Sequence, residues 1–165
     1  MNYGHGTVRT PVLTTGRRAS FALHRSPDSS RPLVHPAVFT WSGVIAFTPS
    51  LPRLLRVEVE LVVENAPRAV EDQLTLTVLD ETGRAVTTVT ENVQTADCDH
   101  ATFVIPKGGV DATPGQSYRL KLSGGTTFGW KYVLGGYEKG AATFNGRPLL
   151  PNARSTFLFR TFGAK

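Results

Sequence analysis

Apolar and polar residues alternate with a period of two in several short runs of this sequence, and this pattern constrains the fold most. In "RVEVELVV", residues 56–63, apolar side chains occupy every second position and Glu58 and Glu60 lie between them. Residues 73–80 and 117–124 alternate in the same way. Because successive side chains of a strand point to opposite faces of a sheet, such runs predict strands with one buried face. No segment carries the apolar stripe of an amphipathic helix.

Short turn signals separate these runs. "DETGR" (80–84), "TPGQ" (113–116) and "NGRP" (145–148) are rich in the residues that turns favour, and the last supplies positions suited to a positive φ. We expect "FGWKYVL" (128–134) and "STFLFRTF" (155–162) to form one strand each. Seven or eight short strands at this spacing predict an all-β fold, an antiparallel two-sheet β-sandwich with the jelly-roll topology.

The last predicted strand, residues 155–162, carries aromatic residues on both faces. Alternation divides its side chains into two sets, Phe157 and Phe159 on one face and Leu158, Arg160 and Phe162 on the other. An exposed strand this rich in aromatic residues would be an aggregation hazard. We therefore expect the last strand to lie in the centre of its sheet or to be well covered.

Charge is distributed unevenly along the chain. Residues 1–56 carry seven arginines and one aspartate, a net charge of +6, whereas residues 57–165 carry 11 basic and 12 acidic residues. The first 38 residues are also rich in Pro, Gly, Ser and Thr. We therefore predict a basic, extended N-terminal arm over 1–38 and the sandwich over 39–165. Such an arm suits an acidic surface or a neighbouring subunit. Its candidate contact residues are Arg9, Arg17, Arg18, Arg25 and Arg31.

Few residues suggest catalysis or metal binding. The single cysteine, Cys98, excludes an intramolecular disulfide and a thiolate zinc cluster. Around it, "ADCDHA" (96–101) places only two candidate ligands on each face of a strand, so we interpret it as a polar turn. A nucleophile elbow, a phosphate-binding glycine loop and a zinc-binding HExxH motif are all missing. We predict no catalytic residue, no metal and no cofactor, and that the protein is not an enzyme.

Composition and the N-terminal residues bear on where the protein acts. No run approaches the roughly 20 apolar residues of a membrane helix, so we expect no membrane span. Residues 1–18 have no apolar core of a signal peptide, so either the chain is not exported by the usual route or its leader lies outside this sequence. One cysteine and one methionine in 165 residues are typical of thermophile proteins, although a GC-rich coding bias gives a similar composition.

Three stretches of the C-terminal half carry a family resemblance. They are "TPGQSYRLKLSGG" (113–125), "FGWKYVLGGYEKGAATFNG" (128–146) and "FLFRTFG" (157–163). Over residues 38–163 the chain resembles jelly-roll modules of bacterial extracellular and surface proteins, which are similar to carbohydrate-binding modules. Those modules close on the pattern L-x-F-R-T-Y, whereas here the spacer after the leucine is missing and phenylalanine replaces tyrosine. The resemblance implies a non-catalytic binding or display role and identifies no ligand.

Three aromatic residues near the C-terminus are candidate ligands for a sugar, namely Trp130, Tyr132 and Tyr137. Trp130 and Tyr132 are two residues apart, so on one strand they share a face. An aromatic ring stacks on the C–H face of a sugar, and Asn145 and Arg147 in the following loop suit its hydroxyl groups. The alternative interpretation is that Trp130 and Tyr132 point inward as core residues.

Two functional hypotheses follow. The first is a structural assembly protein, such as a virion decoration or tail component, whose arm contacts neighbouring subunits of a homo-oligomer or a larger assembly. The second is a carbohydrate-binding accessory module of a secreted or surface protein. Specific nucleic-acid binding is disfavoured because the arm lacks interleaved stacking aromatics and a recognition helix. An arm folded back on its own domain is a further alternative. On the charge split we favour the first hypothesis, with a virion or cell-surface location.

Overall fold

A computed structural model describes residues 41–63, 71–94, 99–125, 127–134, 142–150 and 154–165. The predicted arm and its five arginines lie outside the described residues. Within them the chain forms thirteen strands and no helix. No helix capable of crossing a membrane is found in this part of the chain.

In chain order, the strands are β1 (Trp41–Phe47), β2 (Arg53–Val63), β3 (Glu71–Leu79), β4 (Ala85–Gln94), β5 (His100–Val104), β6 (Val110–Asp111), β7 (Tyr118–Gly124), β8 (Phe128–Trp130), β9 (Tyr132–Leu134), β10 (Thr143–Phe144), β11 (Arg147–Pro148), β12 (Ser155–Phe157) and β13 (Phe159–Ala164). All their pairings are antiparallel. One sheet has six strands in the order β11-β10-β1-β7-β3-β4. The other is built on β2, which pairs with β13, β5, β6 and β8, while β9 and β12 form a short two-stranded sheet. The predicted antiparallel sandwich is confirmed, and the jelly-roll topology stays a prediction.

The predicted alternation produces the core. On β2 the side chains of Val57, Val59 and Leu61 are fully buried, and the glutamates between them face outward. The inward residues of β3 and β7 are also buried, namely Leu74, Leu76, Val78, Tyr118, Leu120 and Leu122. One-sided burial of this kind is the largest favourable contribution to the stability of a sandwich.

The turn between β3 and β4 is fixed by one carboxylate. Asp80 Oδ1 accepts hydrogen bonds from Thr82 Oγ1 at 2.6 Å, from Thr82 N at 2.9 Å and from Arg84 N at 3.0 Å. The hydrogen bond from the Thr82 side chain lowers the pKa of the Asp80 carboxyl below its ordinary value. The prediction of a tight turn over 80–84 is confirmed.

Two of the predicted strands are each divided at a single residue, Lys131 or Leu158. At these residues three segments of the chain meet, and their backbones form a closed triangle of hydrogen bonds. Lys131 N donates to Glu60 O at 2.9 Å, Leu158 N donates to Lys131 O at 2.9 Å, and Glu60 N donates to Leu158 O at 3.1 Å. The expectation of single strands over 128–134 and 155–162 is therefore wrong. As a result β8 and β13 both pair with β2, whereas β9 and β12 pair with each other.

Among the described residues the last strand, β13, pairs with β2 alone, so they do not place it in the centre of its sheet. The other expectation, that the strand is well covered, describes its inward side. Phe159 is 9% exposed, because its ring packs edge-on against Phe47 of the facing sheet at 6.2 Å between centroids. Burial of this aromatic residue therefore comes from the opposite sheet rather than from a second neighbouring strand.

Candidate functional site

Trp130 is a core residue and offers no surface for a ligand. It is 4% exposed, its ring stacks on Phe157 with centroids 4.3 Å apart and planes 9° apart, and its Nε1 donates to Leu158 O at 2.9 Å. A sugar needs one open ring face for stacking. The choice of Trp130 as a ligand-binding residue is thus corrected, and the core alternative describes it.

Tyr132 does not share a strand with Trp130, because the chain changes partner at Lys131 between them. Tyr132 opens β9, lies opposite Phe157 in the register and is half-buried against the core. Tyr137, the third aromatic candidate, lies outside the described residues. The aromatic set predicted from the sequence is therefore not brought together as one exposed platform by the part of the chain described.

The hairpin β10–β11 carries the other two predicted residues, Asn145 and Arg147. Asn145 and Gly146 form its two-residue turn with φ angles of 48° and 76°, the left-handed conformation that such a turn requires. Asn145 N donates to Ser42 O at 2.8 Å, and Ser42 N donates to Asn145 Oδ1 at 2.8 Å. These reciprocal hydrogen bonds fix the tip of the hairpin to β1.

The residues flanking this turn, Phe144 and Arg147, are register partners, so their side chains lie on the same face of the hairpin. Phe144 is 38% exposed, and its ring stacks on Trp41 with centroids 6.0 Å apart and planes 16° apart. Trp41 itself is 8% exposed. The exposed ring is therefore held in place by a buried aromatic residue, with an exposed guanidinium group beside it.

Gly43 connects this hairpin to the core. It is the register partner of Phe144, and a Cβ atom at this position would lie 2.9 Å from the Trp130 ring and 3.0 Å from the Phe157 ring. A bare backbone here lets the stacked Trp130–Phe157 pair pack directly against β1, on the face of the sheet that the Phe144 side chain shares. We call Trp41, Phe144, Asn145 and Arg147 the hairpin site.

Sequence reasoning did not assign Trp41 or Phe144 to a ligand site. A signal for Phe144 was present, because the residues on either side of an Asn-Gly turn face each other across a hairpin. That rule pairs Phe144 with Arg147 from the sequence alone. Trp41 gave no such signal, since its stacking partner lies about a hundred residues further along the chain.

Polar atoms at the hairpin site are mainly hydrogen-bond donors. Arg147 forms no ion pair within the described residues, where the ion pairs are Arg56–Glu58 and His100–Asp99. Asn145 Oδ1 already accepts a hydrogen bond from Ser42 N, and its Nδ2 group adds two donors. The buried Trp41 Nε1 has no hydrogen-bond partner in the part of the chain described. Such a site suits a ligand with an apolar face and acceptor oxygens.

The polar cluster near Cys98 brings two described residues together. His100 Nδ1 lies 2.7 Å from Asp99 Oδ1, and this hydrogen bond lowers the pKa of the exposed Asp99 carboxyl. Cys98 lies outside the described residues. Among those described, no three Asp, Glu, His or Cys side chains are grouped closely enough to hold a metal ion.

A second exposed feature crosses the outer face of the β2 sheet. Phe162, Arg56 and Val104 are consecutive register partners on three strands, β13, β2 and β5. The Arg56 guanidinium carbon lies 3.8 Å from the centroid of the Phe162 ring, and Val104 is 60% exposed. We call these three residues the outer row. The cation at its centre is paired with Glu58 on the same face of β2, at 3.5 Å between Arg56 Nε and Glu58 Oε1.

Neither the protein-family models nor the curated proteins that were compared match the sequence. The interpretation of the hairpin site therefore depends on its own geometry.

Proposed function

We propose that the protein is a non-catalytic carbohydrate-binding module that recognises sugar at the hairpin site. One observation carries the proposal: the half-exposed Phe144 ring, supported from behind by Trp41, has Arg147 beside it on the same face. Aromatic rings offer an apolar surface with a negatively polarised face, which suits the C–H groups of a sugar ring. The adjacent donors then bind its oxygens.

Rigidity of the hairpin supports the same function. A binding group that is already ordered loses less conformational entropy when its ligand arrives. The hairpin is ordered by the two Ser42–Asn145 hydrogen bonds and by the stacking of Phe144 on Trp41. Resemblance of the C-terminal half to modules similar to carbohydrate-binding modules points in the same direction.

The proposal is tested by screening the full chain on an array of neutral and acidic saccharides, in parallel with two variants. Phe144→Ala removes the stacking ring. Val104→Ala is the matched control, because it shortens another exposed apolar side chain, one that lies on the outer row. We expect Phe144→Ala to abolish the glycan signal and Val104→Ala to keep it. Binding of every glycan by Phe144→Ala at the parent level, or no glycan binding by the parent, would reject the proposed function.

A second candidate is the structural assembly protein, possessing a basic arm that contacts neighbouring subunits. Its support is the net charge of +6 over residues 1–56, together with the outer row, whose exposed Val104 and stacked Arg56–Phe162 pair suit a protein contact. The virion or cell-surface location belongs to this candidate as a proposal.

Light scattering across a concentration series distinguishes this candidate. The test compares the full chain with a full-length variant in which the five arm arginines are changed to glutamine: Arg9, Arg17, Arg18, Arg25 and Arg31. The assembly candidate requires an oligomer that dissociates in the variant. A monomeric parent, or an oligomer of equal mass in both proteins, would argue against an arm that holds subunits together through charge.

A further inference from the structure

The polar groups of the hairpin site form an unbalanced set. Arg147 carries five N–H donors and no acceptor, and the remaining side-chain hydrogens of Asn145 are donors as well. The acceptor oxygen of Asn145 is already engaged by Ser42 N at 2.8 Å. A hydroxyl group of a neutral sugar donates a hydrogen bond as well as accepting one, and this site offers few side-chain acceptors for its proton. A neutral sugar therefore matches these donors less well than a ligand group that only accepts hydrogen bonds.

A carboxylate reverses this disadvantage, because it accepts hydrogen bonds and donates none. The planar guanidinium group of Arg147 fits a carboxylate through two parallel N–H···O bonds. No described carboxylate competes for it, since Arg147 takes part in none of the ion pairs among the described residues.

We propose that the hairpin site selects acidic saccharides, with the ring of a uronic acid stacked on Phe144 and its carboxylate bound to Arg147. This inference rests on the proposed function and specifies the class of its ligand. Phe144 supplies affinity that is shared by neutral and acidic sugars, whereas Arg147 supplies the preference for acid. The two contributions are therefore separable by mutation.

Isothermal titration calorimetry of the full chain in 150 mM salt provides the test. The probes are tri-galacturonate and its fully methyl-esterified form, which keeps the sugar ring and removes the charge. We expect the acid form to bind at least about tenfold more tightly than the ester. Arg147→Ala removes that difference. Arg160→Ala is the matched control, because it deletes one positive charge from an exposed position on β13 and leaves the hairpin intact.

Each outcome decides the inference. Acid preference that is lost in Arg147→Ala and kept in Arg160→Ala supports selection by the hairpin site. Equal affinity for the acid and the ester overturns the inference and leaves the proposed function standing. An equal loss in the two arginine variants assigns the preference to net charge and also overturns it. A parent protein that binds neither probe overturns the inference. If it also binds no saccharide on the array, the proposed function is overturned as well.

Discussion

Changing Trp130 to phenylalanine tests the assignment of this residue to the core, and Trp41→Phe provides a matched comparison. Both changes replace an indole by a smaller aromatic ring. Trp130 Nε1 donates to Leu158 O at 2.9 Å, whereas Trp41 Nε1 has no partner within the described part of the chain. Only the first change therefore removes a hydrogen bond.

The magnitude follows from these contacts. Loss of a buried hydrogen bond costs about 1 kcal/mol. Incompletely refilled volume adds about 1–2 kcal/mol, between the costs typical of Ile→Val and Phe→Ala. Leu158 O keeps its hydrogen bond from Glu60 N at 3.1 Å, so no acceptor is left unpaired. We expect Trp130→Phe to lower the free energy of unfolding by about 2–3 kcal/mol, and Trp41→Phe by about 1 kcal/mol less.

Urea denaturation of the parent and the two variants measures this difference. The slope m is expected to stay constant, so the free-energy change appears as a shift of the midpoint. Trp130 and Trp41 are the two tryptophans of the chain, so each variant retains one fluorescent reporter. A cost for Trp41→Phe that equals or exceeds that of Trp130→Phe would refute the stabilising role given to the Trp130 hydrogen bond and to the deeper burial of the Trp130 ring.

Three further predictions concern single contacts. Gly43→Ala places a Cβ atom 2.9 Å from the Trp130 ring. We expect the midpoint of urea unfolding to fall by an amount equivalent to about 1–3 kcal/mol. An unchanged midpoint would contradict the close approach of the ring to Gly43. Because hydrogen bonding lowers the pKa of Asp80 below 3.8, its carboxylate contributes stability above that pH, and the contribution is lost as the pH falls through the folded-state pKa. Unfolding midpoints measured from pH 2 to 7 should therefore lose part of their pH dependence in Asp80→Asn, and an identical profile would contradict this. Phe162→Leu keeps an apolar side chain but removes the ring 3.8 Å from Arg56, with an expected cost of about 0.5–1 kcal/mol that disappears in an Arg56→Met background.

Local patterns predicted the strands and turns well. Alternation identified the inward residues of β2, β3 and β7, and the Asn145–Gly146 turn has the positive φ values expected of it. Alternation also placed Phe157 and Phe159 together on one face of the C-terminal segment, and both are buried in the structure. These features depend on side-chain periodicity and turn chemistry, which short stretches of sequence contain.

Features that depend on distant partners were not predictable in this way. The alternation runs through Lys131 and Leu158 without a break, whereas the strands divide there because both residues bond to each other and to Glu60. Burial of Trp130 likewise depends on the bare backbone of Gly43 and on Phe157. The same reasoning explains why a buried tryptophan was chosen as a ligand residue while the exposed Phe144, stacked on a distant Trp41, was missed.

The most direct measurement of sugar binding at the hairpin site is a set of ¹H–¹⁵N NMR spectra of the full chain, titrated with tri-galacturonate. We expect the largest shift changes at the amides of Phe144, Asn145 and Arg147 and at the indole N–H of Trp41, with the Trp130 indole N–H much less affected. Saturating shifts confined to another surface, such as the outer row, while the hairpin amides stay unchanged, would contradict binding at the hairpin site.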